Sequence, residues 1–187
     1  MTKNTKQKKW RVFSRKTVYK NPWFQIIQED IQKPEGFRGN FYIFERPKGK
    51  DFVIVIVLEK ETLYLVKQWR STLKKYTWEF VAGGIEDSET KLQAAKRELL
   101  EELGLKAKKW VYLGKAAVAP GYSGQYGKVF LATNIESAKK ILGEKGEITR
   151  LVKIKQQKFE QMIYNGKLDD GPTMSAYLLY LAWSKKI

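Results

Sequence analysis

The chain contains neither cysteine nor histidine. Without cysteine, disulfides, thiolate metal centres and a cysteine nucleophile are all excluded. Without histidine, the usual imidazole base and ligand are missing too. Any acid–base or metal chemistry therefore falls to Asp, Glu, Lys and Tyr. Long apolar runs are lacking as well. The longest, FVIVIVL at 52–58, has the length of a strand, far short of the roughly eighteen residues of a membrane helix. No membrane association is expected. The Lys-rich N-terminus leads into no apolar stretch, so no secretory signal is expected, and the lack of cysteine fits a cytoplasmic protein. Acids are absent from residues 1–20, which hold eight Lys/Arg, half of the net charge of +16. Such a tail can bind RNA, DNA or anionic lipid, or simply be solvated. No Arg-Gly repeat, zinc finger or RNA-recognition aromatic motif accompanies it, so nucleic acid is not the favoured partner.

The 187 residues suit one domain with an extension. No internal repeat and no Pro/Gly/Ser linker divides them. FQIIQEDI (24–31) and NFYIFER (40–46) read as strands around a turn. DFVIVIVLE and TLYLVKQW form a hairpin across Lys60 and Glu61. TWEFV is a short strand running into Gly83 and Gly84. After a helix come the strands WVYLGKAAV, KVFLATNI and TRLVKIK, then helices near 156–164 and 172–184. The order predicts an α/β fold with a mixed sheet and helices on both faces.

The first helix is well specified. Thr90 and Gln93 form a capping box, and Gly104 supplies a C-terminal stop. Leu92, Ala95, Leu99 and Leu103 make an apolar stripe. Off that stripe stand Glu98, Glu101 and Glu102. Like charges one turn apart repel, and acids in the last turn oppose the helix dipole. Two readings fit: a solvated acidic face, or a hard divalent cation that cancels the repulsion.

GGIEDSETKLQAAKRELLEELGL (83–105) resembles the Nudix box, G-x5-E-x7-R-E-U-x-E-E-x-G-U with U aliphatic, at every fixed position: Gly83, Glu89, Arg97, Glu98, Leu99, Glu101, Glu102, Gly104 and Leu105. The resemblance implies the Nudix α/β/α sandwich and hydrolysis of a nucleoside diphosphate linked to another moiety. It also implies Mg²⁺, with Mn²⁺ as a substitute. Glu98 and Glu102 would be the principal ligands, Glu101 would assist, and the Ala82 carbonyl would complete the set. Arg97 and Glu89 would pair to brace the loop against the helix.

The flanks resemble the ADP-ribose and nucleotide-sugar pyrophosphatase branch. LVKQWR (65–70), WEFVAGGIE (78–86), Pro120 fifteen residues beyond the box, and NPWFQIIQEDI with GNFYIFERP carry this likeness. Beyond the basic tail at 1–9, it implies a dimerising N-terminal β-extension at 10–47 and a Nudix hydrolase domain at 48–187. Arg70 would hold a phosphate, and Glu79 would contact the terminal ribose. Trp23, with Phe24, would stack on a base across the dimer or serve as core. One departure stands out: where the branch reads PGxSDE, this chain has PGYSGQ, placing Gln125 where a catalytic acid is common. An amide cannot take a proton from water; either Glu101, Glu144 or Glu147 is the base, or the substrate differs, or the protein binds without cutting. Hydrolysis of nucleoside triphosphates or RNA 5′ ends, and a catalytically weak nucleotide-sugar sensor, are the alternative functions.

Overall fold

The computed structural model describes residues 9–46, 51–138 and 150–185. The chain divides into two compact units, one formed by the residues before Asp51 with Ala119–Gln125, the other by Asp51–Val118 with the residues from Tyr126 onward.

The first unit is an antiparallel sheet of β1 (Arg11–Lys20), β2 (Gln25–Gln32) and β3 (Arg38–Glu45), in that order. Asn21 closes the β1–β2 turn: its side-chain oxygen accepts the amides of Trp23 at 2.9 Å and Phe24 at 2.8 Å, a role suited to its short polar side chain. Ile27 and Ile31 are buried, and Phe24 stacks on Phe44 with ring centroids 5.2 Å apart. Segment 119–125 joins this sheet where the Phe44 amide donates to the Tyr122 carbonyl at 2.8 Å.

In the second unit the main sheet runs β10-β5-β4-β9-β8, with β6 beside β5 and β7 beside β4. Its strands are β4 (Phe52–Glu59), β5 (Thr62–Arg70), β6 (Lys75–Glu79), β7 (Val81–Gly84), β8 (Leu105–Ala117), β9 (Tyr126–Ser137) and β10 (Arg150–Lys155). β4 and β9 run parallel while the other pairs are antiparallel. The apolar run on β4 follows from burial on both faces. Val53, Val55 and Val57 pack toward α1 (Lys91–Leu103), meeting Ala94, Ala95 and Leu99. Ile54 and Ile56 face α2 (Gln156–Tyr164) and α3 (Gly171–Ser184), in a cluster with Phe159, Ala176 and Tyr177. Each such side chain contributes about 1.5–3 kcal/mol on burial. The result is an α/β/α sandwich with a mixed sheet. Among the described residues, no helix is long and apolar enough to cross a membrane.

β6 and β7 are almost one strand that changes neighbours. Glu79 is the last residue opposite β5, facing Val66, and Val81 the first opposite β4, facing Val55. Phe80 sits at the switch, and β7 ends at Gly83 and Gly84, ahead of the loop into the helix.

Candidate active site

Both ends of α1 are closed. Thr90 accepts the Gln93 amide at 3.3 Å, Gln93 accepts the Thr90 amide at 2.8 Å, and Gly104 turns left-handed at φ 64°. Ala94, Ala95, Leu99 and Leu103 are buried against the sheet. This seating fixes the rotation of the helix and turns Arg97, Glu98 and Glu101 toward the loop at 84–90.

Arg97 ties loop to helix. Its Nε and Nη2 donate to the two Glu89 oxygens at 3.2 and 2.7 Å, and Nη2 also donates to the Gly84 carbonyl at 2.8 Å. Its Nη1 donates to Glu98 at 2.7 Å and Glu101 at 3.2 Å. Glu89 in turn accepts the Glu86 amide at 2.9 Å. The hydrogen bonds from Arg97 hold the Glu89 carboxyl below its ordinary value. The same bonds, accepted by Glu89 and Glu98, raise the Arg97 guanidinium above its ordinary value, against burial. Burial pushes the Glu98 carboxyl up, with Arg97 pulling the other way.

Glu98 rests directly on Gly83. A Cβ built on Gly83 would overlap the Glu98 carboxylate, so the seat that Glu98 takes depends on the missing side chain and not on an unusual φ. Carboxylate and carbonyl oxygens are the donors a hard divalent cation prefers, and the side-chain-free cradle at Gly83 gives one of them a seat. Glu102 follows Glu98 by one helical turn, and Ala82 lies opposite Ile54 on β7. The donor chemistry fits such an ion. Among the described residues no group of three or more acidic side chains is arranged to hold a metal ion; Glu98 and Glu101 both turn to Arg97.

Arg70 and Glu79 form a second cluster, just upstream. Arg70 binds Glu79 through both Nε, at 2.8 Å, and Nη2. Gln68 donates to the same carboxylate at 2.9 Å, and so does the Thr77 hydroxyl. Burial disfavours the Glu79 charge, but the bonds from Arg70, Thr77 and Gln68 outweigh it and leave the carboxyl below its ordinary value. The Glu79 side chain is 5% exposed and that of Arg70 43%, so the cation faces solvent while its partner is enclosed. Gln68 and Thr77 were not singled out from the sequence. Period-two alternation carries the signal, because Gln68 shares a strand face with Arg70, and Thr77 shares one with Glu79.

The first unit holds Trp23 and Gln125. Trp23 is 72% exposed, whereas Phe24 packs between Tyr19 and Phe44. Gln125 folds back on its own loop: its amide nitrogen donates to the Ser123 hydroxyl, which donates to the Gln125 side chain, each at 3.4 Å. Glu144 and Glu147 lie outside the described residues.

A model of the NUDIX domain matches residues 47–170, more than half of the chain. The chain belongs to the Nudix family. As a Nudix enzyme it is a pyrophosphohydrolase. It is similar to the ADP-ribose pyrophosphatase of Bacillus subtilis, 27% identical over 74% of this chain and 71% of the relative. It is also similar to the ADP compounds hydrolase NudE of Escherichia coli, 24% identical over 90% of each. A solved crystal structure of an ADP compounds hydrolase superimposes with a TM-score of 0.85 at 21% identity, covering 96% of both chains, and so shares the fold.

The Gly83 cradle generates a direct test in this Nudix enzyme. Gly83→Ala needs no unusual backbone angle, yet its methyl must displace the Glu98 carboxylate. Turnover should fall by about a hundredfold or more, as expected for reacting groups misplaced by an ångström, while circular dichroism stays that of wild type. Wild-type kcat in the folded variant would show that the seat is irrelevant.

Proposed function

We propose that this Nudix enzyme hydrolyses the pyrophosphate bond of ADP-ribose or a related nucleoside diphosphate sugar, with Mg²⁺ as cofactor and Mn²⁺ able to replace it. The observation that carries the reading is the Arg70–Glu79 cluster set directly upstream of an intact, Arg97-braced box. Relatives named as ADP-ribose pyrophosphatase and ADP compounds hydrolase support it. Glu98 and Glu102 would hold the metal, with Glu101 assisting and the Ala82 carbonyl completing the set. The ion would supply charge neutralisation on the pyrophosphate and a more acidic water.

The chain's own groups do the rest. Arg97 and Glu89 keep loop and helix in register. Arg70, solvent-facing and anchored from behind, takes a phosphate. Glu79, enclosed by Arg70, Gln68 and Thr77, orients that guanidinium, where the family resemblance alone implied a contact to the ribose. Trp23, 72% exposed, is read as stacking on a base across the dimer. A water attacks one phosphorus and the other phosphate leaves, so ADP-ribose gives AMP and ribose 5-phosphate. Gln125 supplies no base, and the role passes to Glu101 or to Glu144 or Glu147. The cytoplasm is the compartment this reading assigns.

A turnover screen tests the reading across ADP-ribose, ADP-glucose, GDP-mannose, nucleoside triphosphates and triphosphorylated RNA, each with Mg²⁺ and Mn²⁺. ADP-ribose or another nucleotide sugar should be cleaved best, and Glu102→Gln should lose kcat by orders of magnitude without unfolding. Preference for triphosphates or RNA ends would move the assignment to that chemistry. Tight ADP-ribose binding with no turnover of any substrate would make the protein a sensor.

The first unit also supports a homodimer joined through the N-terminal β-extension, residues 10–47. Every residue of the edge strand β1 is exposed, and Val12, Phe13, Val18, Tyr19, Trp23 and Tyr42 present large apolar surface. Edges and patches of this kind are usually covered. Light scattering over a concentration series should give twice the 21.8 kDa chain mass; a monomer at micromolar concentration contradicts the dimer.

A further inference from the structure

The strand switch at Phe80 leaves an amide in need of an acceptor. Glu79 pairs with β5 and Val81 with β4, and Phe80 itself is buried at 1% exposure. A buried N–H without an acceptor costs about 1–3 kcal/mol. The acceptor comes from 93 residues away: the Thr173 hydroxyl takes the Phe80 amide at 3.1 Å. Thr173 is 1% exposed and lies in the first turn of α3, where Asp170 caps the helix by accepting the Thr173 amide at 2.8 Å. Pro172, also in that turn, is pre-set for a helix start. Asp170 stands near enough to Arg70 and Glu79 for its carboxyl to feel both charges, after the larger effect of its own burial. An exposed ion pair, Lys75 with Asp169, makes a second link between β6 and the same helix start.

The bond falls at a consequential place. One residue before Phe80 is Glu79, which anchors Arg70. Two residues after it is Ala82, and then comes Gly83 with Glu98 seated on it. The two stretches pair with different neighbours, β6 with β5 and β7 with β4, and those neighbours pair with each other at the far hairpin, Val57–Glu59 with Thr62–Tyr64; Phe80 itself lies on neither ladder. We propose that Thr173 is a positioning residue of the active site. Its hydroxyl fixes the strand switch, and with it the spacing between the phosphate-holding Arg70 and the metal-binding end of the box. The start of the C-terminal helix is thereby part of the catalytic apparatus although it touches no substrate. This inference rests on the pyrophosphohydrolase reading for its substrate, but not on the identity of the sugar.

The test uses Thr173→Val, which keeps shape and removes the acceptor, with Thr173→Ser as the variant that keeps it. On whichever substrate the wild type cleaves best, Thr173→Val should raise KM by roughly tenfold and lower kcat, in line with the cost of small misplacements. Thr173→Ser should restore both. Arg70→Ala should make the effect on KM vanish, since Thr173 acts on KM through the Arg70 side. Mn²⁺ titration followed by electron paramagnetic resonance should show weakened binding in Thr173→Val, independent of turnover. A purely structural role predicts a lower Tm with unchanged KM and Mn²⁺ affinity in the folded fraction, and that result overturns the proposal. So does a KM effect that simply adds to that of Arg70→Ala. If Thr173→Val does not fold, Thr173→Ala is read in the same way. Failure of the wild type on ADP-ribose alone defeats the sugar assignment and leaves this comparison intact.

Discussion

One guanidinium organises this site. Arg97 spends its donors on Glu89, Glu98, Glu101 and the Gly84 carbonyl, linking both ends of a turn to the helix it enters. Three carboxylates and a carbonyl crowded together would repel one another in the absence of a cation. A planar, permanently charged fork of donors can serve several at once, which a lysine cannot. The loop is thus held by charge and the helix by apolar packing of Ala94, Ala95 and Leu99. The two meet at Gly83, where a missing side chain lets Glu98 settle onto the strand.

The same logic recurs upstream. Arg70 lies at the end of β5, and a buried carboxylate behind it sets its direction. Enclosing Glu79 has a desolvation cost, which four hydrogen bonds from Arg70, Gln68 and Thr77 offset. What remains toward solvent is an oriented cation. The upstream cluster and the box lie on opposite sides of the Phe80 switch, each closed by its own hydrogen bonds. Between them the Phe80 amide donates to Thr173 instead of to a neighbouring strand.

Much of this was legible in the sequence, for reasons that are local. The capping box, Gly104 and the apolar stripe of α1 act within a few residues, so pattern alone places the helix. The β4–β5 hairpin, with Lys60 left-handed at φ 54° in the turn, follows from two apolar runs around a short break. The apolar run of β4 was legible as a strand by its length, while its burial on both faces came only with the fold. The non-local parts were hidden. Nothing in TWEFV says that the strand changes neighbours at Phe80, or that Thr173 reaches it. The DGPT segment reads as a helix start, but not as an acceptor for a distant amide. The sequence placed Glu79 against the ribose by likeness to a family; its enclosure by Gln68 and Thr77 depends on strand register, which motifs do not record. The grouping of 119–125 with the N-terminal sheet likewise rests on pairing between distant residues.

Mn²⁺ binding to Arg97→Lys, measured by electron paramagnetic resonance beside wild type, tests the central claim most directly. If Arg97 keeps loop and helix in register for the ion, the variant should retain its helix content and bind Mn²⁺ roughly 10–100-fold more weakly, the range expected when a ligand's supporting partner is lost. Wild-type Mn²⁺ affinity in a folded Arg97→Lys protein would contradict the account.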